Sequence, residues 1–182
     1  MTNYKDDGYK DYRPHPRPRP RPKINQTVLA CGSGTGLIVP DHGENQSQLF
    51  NPYVIASVAI DTSELKKANV KIEFSSIITF RENDGDDLRL TFQLSKSYQF
   101  GQRIPLGTWT FERDFESDEA VDTSDSFAFH FCECDACPGC AYYTVELINV
   151  ESDDVDFVAI TSPMISALAV GPLDDDDHDD YY

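Results

Sequence analysis

From Thr27 onward, apolar side chains recur at every second position. Val70-Lys71-Ile72-Glu73-Phe74 alternates strictly; Leu88, Leu90, Phe92 and Leu94 repeat the pattern, as do Phe127, Phe129 and Phe131, then Tyr143, Val145 and Leu147. A period of two puts all the apolar groups of a strand on one face, whereas a helix would need a period near 3.6. Shorter runs at Thr27–Ala30, Leu37–Val39, Val54–Ile60, Thr108–Phe111, Phe157–Thr161 and Ile165–Val170 are further strand candidates, and eight or nine strands are expected. Ser63-Glu64-Leu65-Lys66-Lys67 reads as a single helical turn. The pattern predicts an all-β fold, an antiparallel β-sandwich or jelly roll. Ser75-Ser76 shifts the apolar parity as a β-bulge would, and Asn83-Asp84-Gly85-Asp86 has the composition of a hairpin turn leading into the Leu88 strand.

The ends of the chain break this pattern. Arg13-Pro14-His15-Pro16-Arg17-Pro18-Arg19-Pro20-Arg21-Pro22-Lys23 alternates proline with mostly basic residues. Such a segment is expected to be a polyproline II arm at ~3.1 Å per residue, spanning roughly 30 Å. Asp174–Tyr182 carries six Asp and is expected to be a solvated, disordered tail. The expected organisation is therefore an extended arm (1–26), a β-sandwich (27–172) and an acidic tail (173–182). Residues 1–23 hold seven Lys/Arg against three Asp, while 24–173 hold eight basic against twenty-three acidic residues. The arm residues Arg13, Arg17, Arg19, Arg21 and Lys23 thus carry counter-charge for the body of the same protein, which invites docking within or between chains. A net charge of −17 argues against nucleic-acid binding. No apolar run is long enough to span a membrane as a helix, so no membrane partner is expected. Met1-Thr2-Asn3-Tyr4-Lys5 has no apolar core of a secretory signal. Synthesis in a cytoplasm is expected, with any place at a spore or cell surface reached after assembly.

Four of the five cysteines, Cys132, Cys134, Cys137 and Cys140, lie within Phe131–Cys140. With the phenylalanines turned inward, Ala128, His130, Cys132 and Cys134 point outward. If 135–139 is a hairpin loop, Cys134 opposes Cys140 and Cys132 opposes Tyr142, a register that favours a Cys134–Cys140 disulfide. The alternative is a zinc site made by Cys132, Cys134, Cys137 and Cys140, with His130 as a further ligand candidate. An iron–sulfur cluster or a catalytic dithiol fits less well, for want of shelter and of a helix N-terminus. Cys31 is the odd thiol. It is either free for a bond to another chain or a buried, inert strand residue.

Gly32-Ser33-Gly34-Thr35-Gly36 lacks the spacing of a P-loop or dinucleotide fingerprint and reads as a tight turn or a close strand approach. The acidic stretches Asp84–Asp87 and Glu151–Asp154 do not match a calcium loop. No catalytic constellation is nominated, and no cofactor is expected outside the zinc alternative. Together, Cys31-Gly32-Ser33-Gly34-Thr35-Gly36, Ile60-Asp61-Thr62-Ser63, Ile72–Ile77, Gly107-Thr108-Trp109-Thr110-Phe111-Glu112-Arg113 and Cys132-Glu133-Cys134…Cys137-Pro138-Gly139-Cys140…Tyr143–Glu146 resemble a small domain-of-unknown-function family of clostridial-type, spore-forming bacteria. In general plan the chain also resembles β-sandwich subunits of endospore appendages. That resemblance implies a non-enzymatic structural subunit, a homo-oligomer or polymer assembled through the arm and the sheet faces, with cysteines cross-linking fold or fibre.

Overall fold

A computed structural model describes residues 25–40, 51–82, 87–98, 101–114, 121–152 and 155–172. The arm residues Arg13–Lys23, the turn 83–86 and the acidic tail lie outside them. Nine strands follow one another: β1 (Asn25–Gly34), β2 (Leu37–Val39), β3 (Tyr53–Asp61), β4 (Ala68–Glu82), β5 (Leu88–Tyr98), β6 (Ile104–Arg113), β7 (Val121–Ala136), β8 (Cys140–Ser152) and β9 (Val155–Pro172). The all-β, antiparallel expectation holds, and the strands form one sheet in the order β6-β5-β8-β3-β1-β9-β4-β7, with β2 beside β9. Its inner face is lined by the alternating residues, Ile72, Phe74, Phe80, Leu88, Leu90, Phe92, Val145 and Leu147 among them, all nearly inaccessible to water. Burying a side chain of this size contributes about 1.5–3 kcal/mol, so this inward face is what drives the sheet to curl upon itself.

Connectivity departs from the sequence reading. β4 pairs with β7 and β9, whereas β5 pairs with β6 and β8. β4 and β5, the described strands on either side of 83–86, therefore do not pair with each other. The same holds for β7 and β8. β7 lies against β4, and β8 lies between β3 and β5. Period-two alternation fixes which face a strand buries but is blind to its neighbour, so local hairpins are the natural but wrong inference. Ser63–Lys67 is not helical either: a turn closed by Leu65 N–H donating to Thr62 O (3.0 Å) precedes β4.

The expected bulge is present, but on the opposite strand. Between β4 and β9 the register slips as Ser75↔Met164 gives way to Ile77↔Thr161. Two steps on β4 face three on β9, and the extra residue there, Ser162, takes a positive φ of 51°. β4 itself keeps its parity, so Ser76 is buried and Ile77 is 43% exposed. The glycine segment resolves in favour of close approach. A Cβ on Gly34 would stand 1.8 Å from Ile55 O, and one on Gly32 would stand 2.1 Å from Ser57 O. These glycines let β1 cross against β3, the contact that joins the two halves of the sheet.

Candidate functional site

The Cys137–Gly139 segment is a corner rather than a hairpin loop. Asp135 (φ 53°) and Gly139 (φ 126°) turn the chain from β7 over to β8. Thr62 holds the corner: its backbone N–H and its Oγ1 both donate to Gly139 O, at 3.0 and 3.1 Å. The hairpin register that favoured Cys134–Cys140 is therefore overturned. Cys140 sits opposite Asp61 on β3, and Cys132 opposite Lys71 on β4. All five cysteines are free thiols, exposed except for the half-buried Cys140. Among the described residues no three Cys, His, Asp or Glu side chains are gathered closely enough to hold a metal ion, so the four thiols as placed do not form the zinc set.

The outward direction of Ala128, His130, Cys132 and Cys134 agrees with the sequence reading, as does the inward direction of Phe127, Phe129 and Phe131. Cys31 is exposed, which removes the reading of an inert buried thiol. It lies in a row that runs across four strands as Cys31, Ser166, Glu73 and His130. At ~4.8 Å per strand, Cys31 and His130 stand about 14 Å apart, too far for a thiol and its base. Around this row the outer face of β1-β9-β4-β7 sinks into a depression of ≈ 450 Å³, floored by the small residues Gly32, Ser75, Ala128 and Ser166. Met164 borders it at 65% exposure and Leu29, paired with Leu168, lies beside Cys31 at 66%.

A second cluster lies inside the sheet at the same end as the corner. Lys96 occupies the inward position that follows Leu94 on β5 and is 4% exposed. Its Nζ donates to Glu133 Oε1 at 2.6 Å, and Tyr143 donates its hydroxyl to Glu133 Oε2 at 2.8 Å. Tyr98 and Tyr143 present their rings to the ammonium at 4.5 and 5.5 Å. Sequence reasoning missed these residues although the signal was there: extending the alternation by one step turns Lys96 and Glu133 inward, two opposite charges facing one interior. A buried charge needs such a partner. On the outer face, Glu146 is likewise covered, accepting from Ser95 and Arg103.

Burial, the Glu133 hydrogen bond and its negative charge push the Tyr143 hydroxyl well above the ordinary tyrosine range. Burial works to lower Lys96, but its hydrogen bonds to Glu133 and Tyr98 outweigh this and raise it. Both groups hold their protons more tightly folded than unfolded. Their contribution is therefore full below about pH 10 and is lost as pH rises through the folded values. We expect the unfolding free energy to fall by about 1.4 kcal/mol per pH unit for each proton above that point. Denaturation titrations between pH 8 and 12 would show it; a flat profile would remove the cluster from the stability of the fold.

No curated protein matches the chain. Among solved structures it is similar to "Structure of Eiger TNF from S. frugiperda" at 12% identity, covering 79% of this chain and 91% of that one with a TM-score of 0.39, too slight a likeness to carry any functional weight. Residues 25–170, which take in every strand except the last two residues of β9, match the model of the Domain of unknown function (DUF4489), and the chain belongs to that family.

Proposed function

We propose that the protein is a non-enzymatic structural subunit that assembles with copies of itself, using its basic arm and the outer face of β1-β9-β4-β7. The observation that carries this reading is the exposed strip Leu29, Leu168 and Met164, with the free thiol Cys31 among them. The core excludes these residues, and large apolar groups left in water on one face, with Cys31 and Ser166 between them, mark a surface for a partner. A second copy is the partner that the chain itself supplies. Residues 13–23 bring five Lys/Arg and no acid, and they lead straight into β1, whose outward side chains include Leu29 and Cys31. The body they would meet is strongly acidic, so encounter between copies is steered by charge and weakened by salt. Cys31, in the middle of the strip, is placed to cross-link two copies once they meet. A fibre or layer at a spore or cell surface is the setting we favour.

Size measurement by light scattering at rising protein concentration, with and without oxidant, tests this. Full-length protein is expected to form oligomers or polymers, and a variant lacking residues 1–23 is expected to remain monomeric with an unchanged far-ultraviolet spectrum. A full-length chain that stays monomeric under every condition would sink the reading.

A further inference from the structure

Assembly through the arm requires a seat for it on the neighbouring copy, and the seat inferred from the sheet ends rests on that self-assembly reading. Among the described residues β6 pairs with β5 and β7 with β4, so these two strands are the ends of the sheet. They meet across a seam that is closed by side chains. Trp109 of β6 lies flat on Phe129 of β7, with ring centroids 4.0 Å apart and planes 7° apart. Phe111 meets Phe127 edge-on at 6.1 Å, and Arg113 Nε donates to Asp125 Oδ2 at 2.7 Å. Phe127, Phe131 and Trp109 remain only partly buried. An unpaired sheet end of this kind presents backbone donors and acceptors to any chain that can extend along it.

The arm has an unusual property as such a chain. In an extended backbone the N–H and C=O of one residue point to the same edge, and those of the next residue point to the other. Residues 13, 15, 17, 19, 21 and 23 keep their N–H, while Pro14, Pro16, Pro18, Pro20 and Pro22 have none. Strict alternation therefore leaves one edge fully competent for a ladder and the other without a single donor. A strand of this type can add to an open sheet, and nothing can add to it in turn. Its two-residue repeat, ~6.2 Å as polyproline II and ~6.8 Å as a strand, also matches the spacing of Phe127, Phe129 and Phe131 along β7. With the proline rings turned toward those aromatics, the basic side chains face outward, where the exposed Glu112, 3.9 Å from Arg89, and Asp122, paired with Arg81 at 2.7 Å, border the seam and can share their charge with the arm.

Reach decides between the chain's own seam and a neighbour's. The arm joins the sheet at Asn25 of β1, and β9 and β4 separate β1 from β7. Crossing three strand spacings, about 14 Å, takes about four residues, so about three of the eleven alternating residues would be spent before any ladder began. A neighbour's seam takes the whole segment. We propose that the arm 13–23 of one copy lies as a one-edged strand along the β6–β7 seam of another.

The test uses full-length protein carrying a photoreactive benzoylphenylalanine at Arg19, mixed from ¹⁴N- and ¹⁵N-labelled preparations and irradiated. Cross-links between differently labelled chains that map to 104–113 or 121–131 are expected. Cross-links between chains that map elsewhere, such as the Leu29–Met164 face, would overturn the seam and leave self-assembly standing. Cross-links confined to single chains would overturn docking between copies, and a strict monomer without cross-links would overturn both readings. Trp109, the one tryptophan of the chain, gives a second readout. A synthetic peptide of residues 13–23 added to full-length protein should shift its emission. The Arg17→Pro/Arg19→Pro peptide, which loses two ladder donors, should bind at least tenfold more weakly than the Arg17→Gln/Arg19→Gln peptide of equal charge. Equal affinities, or no shift with the natural peptide, would exclude the ladder.

Discussion

Glu133→Ala is expected to lower the unfolding free energy by about 3 kcal/mol, because it leaves the Lys96 ammonium buried with no carboxylate. Lys96 is 4% exposed and its 2.6 Å contact to Glu133 is the ion pair that offsets its desolvation. Tyr143, fully buried, loses the acceptor of its hydroxyl in the same substitution. Glu133 keeps 22% of its side-chain surface in contact with water, which places the effect toward the lower end for a broken buried pair. The double variant Lys96→Met/Glu133→Leu should recover the part of the loss due to the unpaired ammonium, since apolar groups of similar volume need no partner, while the Tyr143 hydroxyl stays without its acceptor. Denaturant unfolding of the three proteins decides the matter. If the double variant is no more stable than Glu133→Ala, the two residues are not coupled through their charges.

Gly34→Ala is expected to be at least as severe, about 3 kcal/mol or more, for a different reason. Its new Cβ would stand 1.8 Å from Ile55 O and 2.8 Å from Ile55 C, which are main-chain atoms and cannot swing aside. β1 must then lift from β3. That contact rests on Ser33↔Ser57 and Gly34↔Ala56, so a small displacement opens the connection between the halves of the sheet. Hydrogen exchange should show loss of protection in β1 and β3 before β5 and β8. Unchanged protection across β1 would refute this account of the glycine segment. Gly139→Ala is the useful contrast, because its Cβ would meet nothing within 4 Å and only the backbone angle opposes it.

What the sequence made legible, and what it hid, divides along one physical line. Facing was legible. Phe127, Phe129 and Phe131 turn inward and His130, Cys132 and Cys134 outward, because alternation is a property of each strand alone. Pairing was not, since an inward phenylalanine carries no mark of which strand lies beside it. The Cys134–Cys140 register failed on that account, and with it the covalent clasp across a hairpin. The misplaced bulge has a related cause: Ser75-Ser76 looks like a break in β4, yet the slip is absorbed at Ser162 of its partner. Of the site, Cys31 and the arm stand out from the residues themselves. Alternation turns Lys96, Glu133 and Tyr143 inward, but their meeting is not legible, because each lies on a different strand and only the curl of the sheet brings them together.

The position of β9 has a consequence for how this protein is made. β9 is the only described strand that pairs with β1, β2 and β4 together, and it comes after all of them along the chain. Until β9 emerges, β1 has only its short contact with β3, and β4 lacks one of its two partners, so the aromatic-rich middle of the chain stays partly open in the meantime. Pairings this distant along the chain are slow to form, since loop closure must be completed before any contact rewards it. Each newly made molecule thus passes through an interval in which its strand edges are exposed among those of its neighbours on the same message.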